Sequence, residues 1–172
     1  ELHDVGFEAK IIPSFLDDVN NYPISFKPPM ERKWKIWMCA HPEREDEYGI
    51  ALAKRMAEMD LELEFHIYGV EKGTRDGDLS NVIFHGMVPE NQLNEEIRQY
   101  HCGFRPNQHD GFSEVLAKSV FLGQYPISRI AYEYMWTYKS ENEILNCFKM
   151  LKEQKEPNIK GRELWISKIN KF

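Results

Sequence analysis

Short apolar segments alternate with amphipathic helical segments along most of this 172-residue chain, and that alternation limits the fold more than any other feature. A strand repeats every second residue, whereas a helix repeats about every 3.6 residues. The pattern predicts strands at residues 9–13, 34–40, 61–68, 82–85 and 102–105, and again from residue 125. It predicts helices at residues 46–59, 90–100, 113–123, 140–154 and 161–170. This order predicts an α/β, Rossmann-like fold in which helices flank a parallel sheet.

The carboxyl ends of the predicted strands are where a ligand is expected. In an open α/β sheet, ligands bind outside those ends, near the point where the strand order reverses. Three sets of loops lie there: residues 40–47, residues 69–78 with 85–90, and residues 106–113. We therefore take candidate binding residues from these loops.

The segment from residue 105 to residue 128 has the pattern of a loop, a helix and a strand. Asp110 and Gly111 form a turn signal, and Ser113 is suited to cap the helix that follows. Gly123 is placed to end that helix. Because the first N–H groups of a helix point outward from its N-terminal end, this turn is suited to hold an anionic ligand.

These residues resemble the donor-binding signature of the retaining GT-B glycosyltransferases of the group 1, GT4-type family. In that family Glu-Gly-Phe-Gly precedes a helix, a second Glu follows eight residues after the first, and Gly-x-Pro-Val starts the next strand. Here Asp110 stands for the first Glu, Ser113 for the second Gly and Lys118 for the second Glu. The resemblance implies that the chain is the C-terminal half of a GT-B glycosyltransferase, which binds a nucleotide-sugar donor.

Two further segments carry the resemblance. The turn Gly86-Met87-Val88 is similar to the turn with which the family reads the nucleobase through backbone groups. The first thirty residues resemble the family's connection between its two domains. We therefore predict that residues 1–33 are the interdomain connection and first strand, packed on the domain. Residues 34–172 are then the Rossmann-like nucleotide-sugar-binding domain.

The resemblance also implies roles for individual residues. Asp110 would contact the transferred sugar, and Arg44 would meet the diphosphate, where a planar guanidinium suits paired phosphate oxygens. These two are the candidate catalytic residues. The candidate donor-binding residues are Gly86, Met87, Val88, Asn107, His109, Asp110, Gly111, Phe112, Ser113 and Lys118.

Lys118 departs most from the family's pattern, because an ammonium group cannot accept a hydrogen bond. Either it donates to ribose hydroxyls or a phosphate, or it pairs with Glu114 one helical turn earlier. Lys72 is a further candidate for neutralising the diphosphate, and Phe112 is predicted to pack beneath its loop.

The implied reaction transfers a hexose-like sugar from a nucleoside diphosphate sugar to a hydroxyl acceptor, with retained anomeric configuration. Cationic side chains and a helix N-terminus would stabilise the departing diphosphate. We therefore predict no cofactor and no metal, with the nucleotide sugar as donor substrate. Since the chain begins at Glu1, we expect it to belong to a longer protein whose missing N-terminal domain binds the acceptor. The isolated domain would then bind its donor without turnover.

Composition narrows the setting. A formal net charge of −6 argues against a nucleic-acid partner. No apolar run reaches the length of a membrane span. The three cysteines, Cys39, Cys102 and Cys147, form no Cys-x-x-Cys motif, which favours a reducing compartment. We expect a cytoplasmic domain, with the full-length protein cytoplasmic or peripheral at a membrane.

Two other interpretations of the sequence stay open. One is a non-catalytic relative that binds a nucleotide or a partner protein. The other is an unrelated doubly wound α/β domain, such as a flavodoxin-like receiver or a sugar-phosphate enzyme. The sequence contains no Gly-x-Gly-x-x-Gly after a strand, which argues against a dinucleotide binder.

Overall fold

The computed structural model describes residues 17–71, 79–111 and 113–169. The strands found there are β1 (Trp34–Cys39), β2 (Leu63–Tyr68), β3 (Val82–Gly86), β4 (Cys102–Arg105), β5 (Ile127–Ser128) and β6 (Trp136–Thr137). The α-helices are α1 (Ile50–Met59), α2 (Glu90–Glu96), α3 (Glu114–Phe121), α4 (Glu141–Glu153) and α5 (Ile159–Ile169). The strand predicted at residues 9–13 lies outside the described residues.

These strands form one sheet in the order β3-β2-β1-β4-β5-β6, and every neighbouring pair is parallel. The chain builds outward from β1 through β2 to β3, then crosses to the other side of β1 to begin β4. The strand order therefore reverses between β1 and β4. The predicted Rossmann-like α/β fold is confirmed, and this reversal marks its expected ligand position.

The side chains of β1 alternate between the two sides of the sheet and so join two separate cores. Ile36 and Met38 pack on the side of α1 and α4, whereas Trp37 packs on the side of α3 and α5. All three are fully buried. The apolar stripe predicted for α1 lies in the first of these cores, with Ile50, Ala53, Met56 and Ala57 buried.

Residues 17–33 run along the domain and form a 3-10 helix at Val19–Asn21 but no strand. Tyr22 and Phe26 insert their rings into the two cores, and the backbone N–H groups of Ser25 and Phe26 donate to the carbonyl of Leu122. Arg162 on α5 donates to the carbonyl of Tyr22, at 3.4 Å. These contacts attach the segment to the end of α3.

The start of α1 differs from the prediction, because the helix begins at Ile50 and not at residue 46. Gly49 adopts the left-handed backbone conformation, with φ of 71°, and lies against Pro106 in the loop after β4. A Cβ atom on Gly49 would lie 2.6 Å from Pro106 Cγ. The preceding residues form turns instead of helix, so a tertiary contact sets this boundary. β2 likewise begins at Leu63, later than predicted.

His101 holds the amino ends of β1 and β4 together. Its backbone N–H donates to the carbonyl of Lys35, and the backbone N–H of Lys35 donates to His101 Nδ1, both at 2.9 Å. The ring is buried beside Phe26 and Trp34. Burial lowers the pKa of His101 to about 4. Since Nδ1 accepts a hydrogen bond here, a proton on that nitrogen would break it.

We expect Gly49→Ala to lower the free energy of unfolding by roughly 2–3 kcal/mol, because a non-glycine residue is strained in this conformation and its Cβ meets Pro106. Denaturant unfolding measures the change. Gly111→Ala is the matched control, since an added Cβ there has no heavy atom within 4 Å. Equal losses in both variants would contradict the packing between α1 and the loop after β4.

We expect the free energy of unfolding to fall as the pH drops from about 6.5 to 4, because the unfolded chain then takes up a proton that the buried His101 ring refuses. This single group would contribute on the order of 3 kcal/mol at pH 4. His101→Asn keeps an acceptor for Lys35 and should remove this contribution, leaving that of His66, whose pKa burial also lowers to about 4. His41→Asn, at an exposed site, should leave the slope unchanged. A pH dependence that His101→Asn leaves unchanged would assign it to other groups.

Candidate functional site

A cleft of about 350 Å³ opens where β1 and β4 end side by side, and we call it the switch-point cleft. Arg105, the last residue of β4, lies on one side of it, and His41, just beyond β1, lies on another. The first turn of α3 closes the cleft. The lining residues are Cys39, Ala40, His41, Tyr48, Arg105, Ser113, Glu114 and Val115.

Arg105 is held in place by two neighbours. Its Nε donates to Asp110 Oδ2 at 2.6 Å, and its guanidinium carbon lies 4.8 Å from the centre of the Tyr48 ring. The side chains of Arg105 and Asp110 are only 14% and 13% exposed. A charge-assisted bond in so enclosed a position fixes the guanidinium at the mouth of the cleft.

The N-terminus of α3 faces the same cleft. Ser113 caps the helix as predicted, because its Oγ accepts from the backbone N–H of Leu116 at 3.4 Å. The first N–H groups of a helix have no partner within the helix, and the helix dipole adds partial positive charge there. With Arg105 beside it, this end of α3 can bind an anionic group.

The loop between β4 and α3 places the predicted Asp110 behind Arg105. Among the described residues, Asp110 lines neither the switch-point cleft nor the two pockets beside it. Gly111 is exposed, and its carbonyl accepts from the hydroxyl of Tyr132 at 3.3 Å. Phe112 lies outside the described residues, so its predicted packing stays a prediction.

A second pocket of about 710 Å³, which we call the Val88 pocket, adjoins the cleft on the side of α2. This pocket lies beside the predicted turn after β3. In that turn, Gly86 has a φ of 65° and donates its N–H to the carbonyl of Val70. Met87 at the tip is 83% exposed. The lining residues are Asp17, Asn21, Val88, Glu90, Asn91, Leu93, Asn94, Glu114 and Lys118.

Lys118 lies at the bottom of the Val88 pocket, with its side chain only 5% exposed. Its Nζ is 2.8 Å from Glu90 Oε1 and 3.7 Å from Glu114 Oε2. The predicted pair with Glu114 is therefore present. The ion pair with Glu90, from the first turn of α2, was not predicted. The Nζ also lies 5.9 Å from the centre of the Tyr22 ring.

A third pocket of about 560 Å³, the Asn107 pocket, lies between α1 and the loop after β4. It brings Arg44, Asn107 and His109 together, and Arg129 beyond β5 joins them. Asn107 is 6% exposed, and its Oδ1 has no hydrogen-bond partner among the described residues. A buried acceptor of this kind can bind a hydroxyl group of a ligand.

Arg44 lies in the loop between β1 and α1, where the sequence placed it. Its exposed side chain pairs with Glu47, which raises the pKa of Arg44 and lowers that of Glu47. It lines the Asn107 pocket and not the switch-point cleft, whose cation is Arg105. Arg105 was not among the predicted site residues. A charged residue at the end of an apolar strand, at the carboxyl edge of the sheet, was a signal that could have identified it. Glu114 was predicted only as a partner of Lys118.

Within the described residues, no group of three or more His, Cys, Asp or Glu side chains is arranged to hold a metal ion. The prediction of no metal overlooked an Asp-x-Asp spacing at Asp76 and Asp78, which lie outside those residues together with Lys72. None of the described helices has the length and apolar character needed to cross a membrane.

No protein-family model matches the sequence, and no curated protein is similar to it in sequence. Solved structures are similar in fold. A TarM variant from S. aureus in complex with fondaparinux, α-GlcNAc-glycerol and UDP matches 98% of the chain, with a TM-score of 0.63 and 15% identity. WaaG, a glycosyltransferase involved in lipopolysaccharide biosynthesis, matches 94% of the chain, with a TM-score of 0.60 and 12% identity.

The C-terminal domain of LpcC, a group 1 family glycosyl transferase from Francisella tularensis, matches 90% of the chain with a TM-score of 0.53 and 14% identity. The match covers 95% of that domain. In contrast, the chain spans only 37% of TarM and 51% of WaaG. The chain therefore has the fold of the C-terminal domain of GT-B glycosyltransferases.

We expect Arg105→Ala and Asp110→Ala each to lower the free energy of unfolding by roughly 2–3 kcal/mol, because each leaves a largely buried charge without its partner. The double variant should lose much less than the sum, with a coupling above about 1 kcal/mol. The same cycle on the exposed Arg44 and Glu47 is the control and should show no measurable coupling. Additive losses for Arg105 and Asp110 would contradict the pairing.

Proposed function

We propose that this chain is the donor-binding domain of a retaining glycosyltransferase of the group 1, GT4-type family. The reaction transfers a hexose-like sugar from a nucleoside diphosphate sugar to a hydroxyl acceptor. One observation carries the proposal: at the reversal point of the sheet, the N-terminus of α3 and the guanidinium of Arg105 face one cleft. Such a combination suits a diphosphate.

The three adjoining pockets suit the three parts of a nucleotide sugar. The nucleobase lies in the Val88 pocket, against Val88 at the end of the predicted turn; Gly86 and Met87 of that turn do not line the pocket. The diphosphate lies in the switch-point cleft. The sugar extends toward the Asn107 pocket, where the free Oδ1 of Asn107 accepts from a hydroxyl, with His109 beside it. UDP is bound in the similar TarM structure, which supports a nucleoside diphosphate as ligand.

The chemical role of this half is to stabilise the negative charge that develops on the departing diphosphate. Arg105 and the first N–H groups of α3 meet that charge, and Asp110 holds the guanidinium in position. A guanidinium has five N–H donors, so its bond to Asp110 leaves donors for phosphate oxygens. Arg44 adds positive charge from the neighbouring loop. The proposal assigns no metal or cofactor.

The acceptor site and the rest of the catalytic machinery belong, in this proposal, to an N-terminal domain outside the chain. The chain spans only 37% of TarM and 51% of WaaG, which supports this division. The domain alone then binds its donor and does not turn it over. The buried Cys102 and Cys147 are free thiols, which suits a cytoplasmic domain in a protein that is cytoplasmic or peripheral at a membrane.

A second candidate function is that of a non-catalytic nucleotide-binding module. Two observations favour it: the Asp110 carboxylate is already engaged by Arg105, and Lys118 occupies the position of the family's second Glu. The two candidates predict the same nucleotide binding. They differ in whether the full-length protein transfers the sugar, so a transfer assay on that protein separates them.

We expect one of UDP, GDP or ADP to bind this chain, measured by calorimetry, because Arg105 and the N-terminus of α3 at the switch-point cleft suit a diphosphate. Arg105→Lys should weaken that binding about tenfold or more, since it keeps the charge and loses the planar fork. Arg32→Lys is the control, because Arg32 is exposed and lines none of the three pockets. The affinity of the Arg105→Lys variant for the corresponding nucleoside, which lacks the diphosphate, should not change. If no nucleoside diphosphate binds at millimolar concentration, the proposed function is wrong.

A further inference from the structure

The position of Lys118 leaves open which group binds the ribose hydroxyls of the nucleotide. The Lys118 side chain is 5% exposed, and its Nζ is enclosed by Glu90, Glu114 and the ring of Tyr22. An ammonium has three donors and no acceptor, and two carboxylates here already compete for those donors. A vicinal diol needs an acceptor of good strength. Lys118 cannot supply it.

Glu114 has the position and the chemistry that Lys118 lacks. It is the first residue of α3, its side chain is 55% exposed, and it lines both the switch-point cleft and the Val88 pocket. A group between the site of the diphosphate and the site of the base is where a ribose must lie. A carboxylate offers about four acceptor sites, and Lys118 takes at most part of them.

Lys118 also offsets the repulsion between the Glu114 carboxylate and the nearby diphosphate. Glu114 and Lys118 lie one helical turn apart on the same face of α3, with 3.7 Å between Oε2 and Nζ. Glu90 approaches the ammonium from α2 but does not line the switch-point cleft. The ion pair therefore fixes the direction of the Glu114 carboxylate and offsets its charge, and the helix dipole favours an acidic residue at this end.

We propose that Glu114, positioned by Lys118, accepts hydrogen bonds from the ribose hydroxyls of the bound nucleotide. This inference rests on the proposed function and names a specificity-determining residue for it. Glu114 lies one turn nearer the start of α3 than Lys118, which stands in the position of the family's second Glu. Lys118 acts as a positioning residue and makes no contact with the ribose.

The test compares the nucleoside diphosphate that binds the unchanged chain with its 2′,3′-dideoxy analogue, by calorimetry. The unchanged chain should prefer the ribose form by about tenfold or more, as expected for hydrogen bonds to a charged group. Glu114→Ala should weaken the ribose form by a similar factor and leave the dideoxy form nearly unchanged, so that the preference disappears. Glu114→Gln, which keeps one acceptor oxygen, should retain part of the preference.

Glu95→Ala is the matched control, because it removes an exposed carboxylate of α2 that lines none of the three pockets, and it should keep the ribose preference. Lys118→Met should reduce the preference and Lys118→Arg should restore it, with the fold of each variant checked by circular dichroism. A loss from Glu114→Ala that is equal for both nucleotides, or a preference that persists in it, would overturn the inference. In either case the proposed function stands. Absence of nucleotide binding by the unchanged chain would overturn both.

Discussion

The parallel pairing of β1 with β4 determines where everything else at this site can lie. Only a short register joins the two strands, with Ile36 opposite Cys102 and Trp37 opposite Gly103. A buried polar network reinforces it, because Trp37 Nε1 and the hydroxyl of Ser119 both donate to Gln124 Oε1 at 2.9 Å. The N–H of Gly103 in turn donates to Ser119 Oγ on α3. Buried polar groups need such partners, so the network holds the axis of α3 against β4 and directs its N-terminus at the switch-point cleft.

The electrostatics of the carboxyl edge explain how an acidic chain can present an anion site. The chain carries a net charge of −6, yet Arg44, Arg105 and Lys118 lie at this edge, and each of these three has an acidic partner nearby. Arg105 pairs with Asp110, and Lys118 pairs with Glu90 and Glu114. The pairs differ in burial, and burial decides what each can do. Arg105 is fixed and directed at the cleft, whereas Lys118 is enclosed, so the first can meet a ligand and the second can only orient a neighbour.

Much of the fold follows from local sequence patterns, and the site follows from them only in part. The strand that contains Trp37, the helices and the cap at Ser113 were predictable, because the spacing of apolar residues and helix capping both depend on residues close together in the sequence. The pair of Lys118 with Glu114 was predictable for the same reason. The start of α1 was not, because Gly49 turns to clear Pro106, a residue far along the chain. The contact of Lys118 with Glu90 joins two helices and depends on how both pack against the sheet, which no spacing in the sequence reveals.

The two departures from the family's signature are better understood together than separately. Asp110 is one methylene shorter than Glu, and Arg105 binds it; Lys118 reverses a charge, and Glu114 lies one turn away with the original sign. Each changed residue therefore has a neighbour that places a charged group at the cleft: Arg105 a guanidinium and Glu114 a carboxylate. A domain whose ligand site had closed would have filled the space beside Lys118, but the Val88 pocket stays open at about 710 Å³. An open pocket with its charges rearranged, and not removed, favours a site that still binds a nucleotide through different residues.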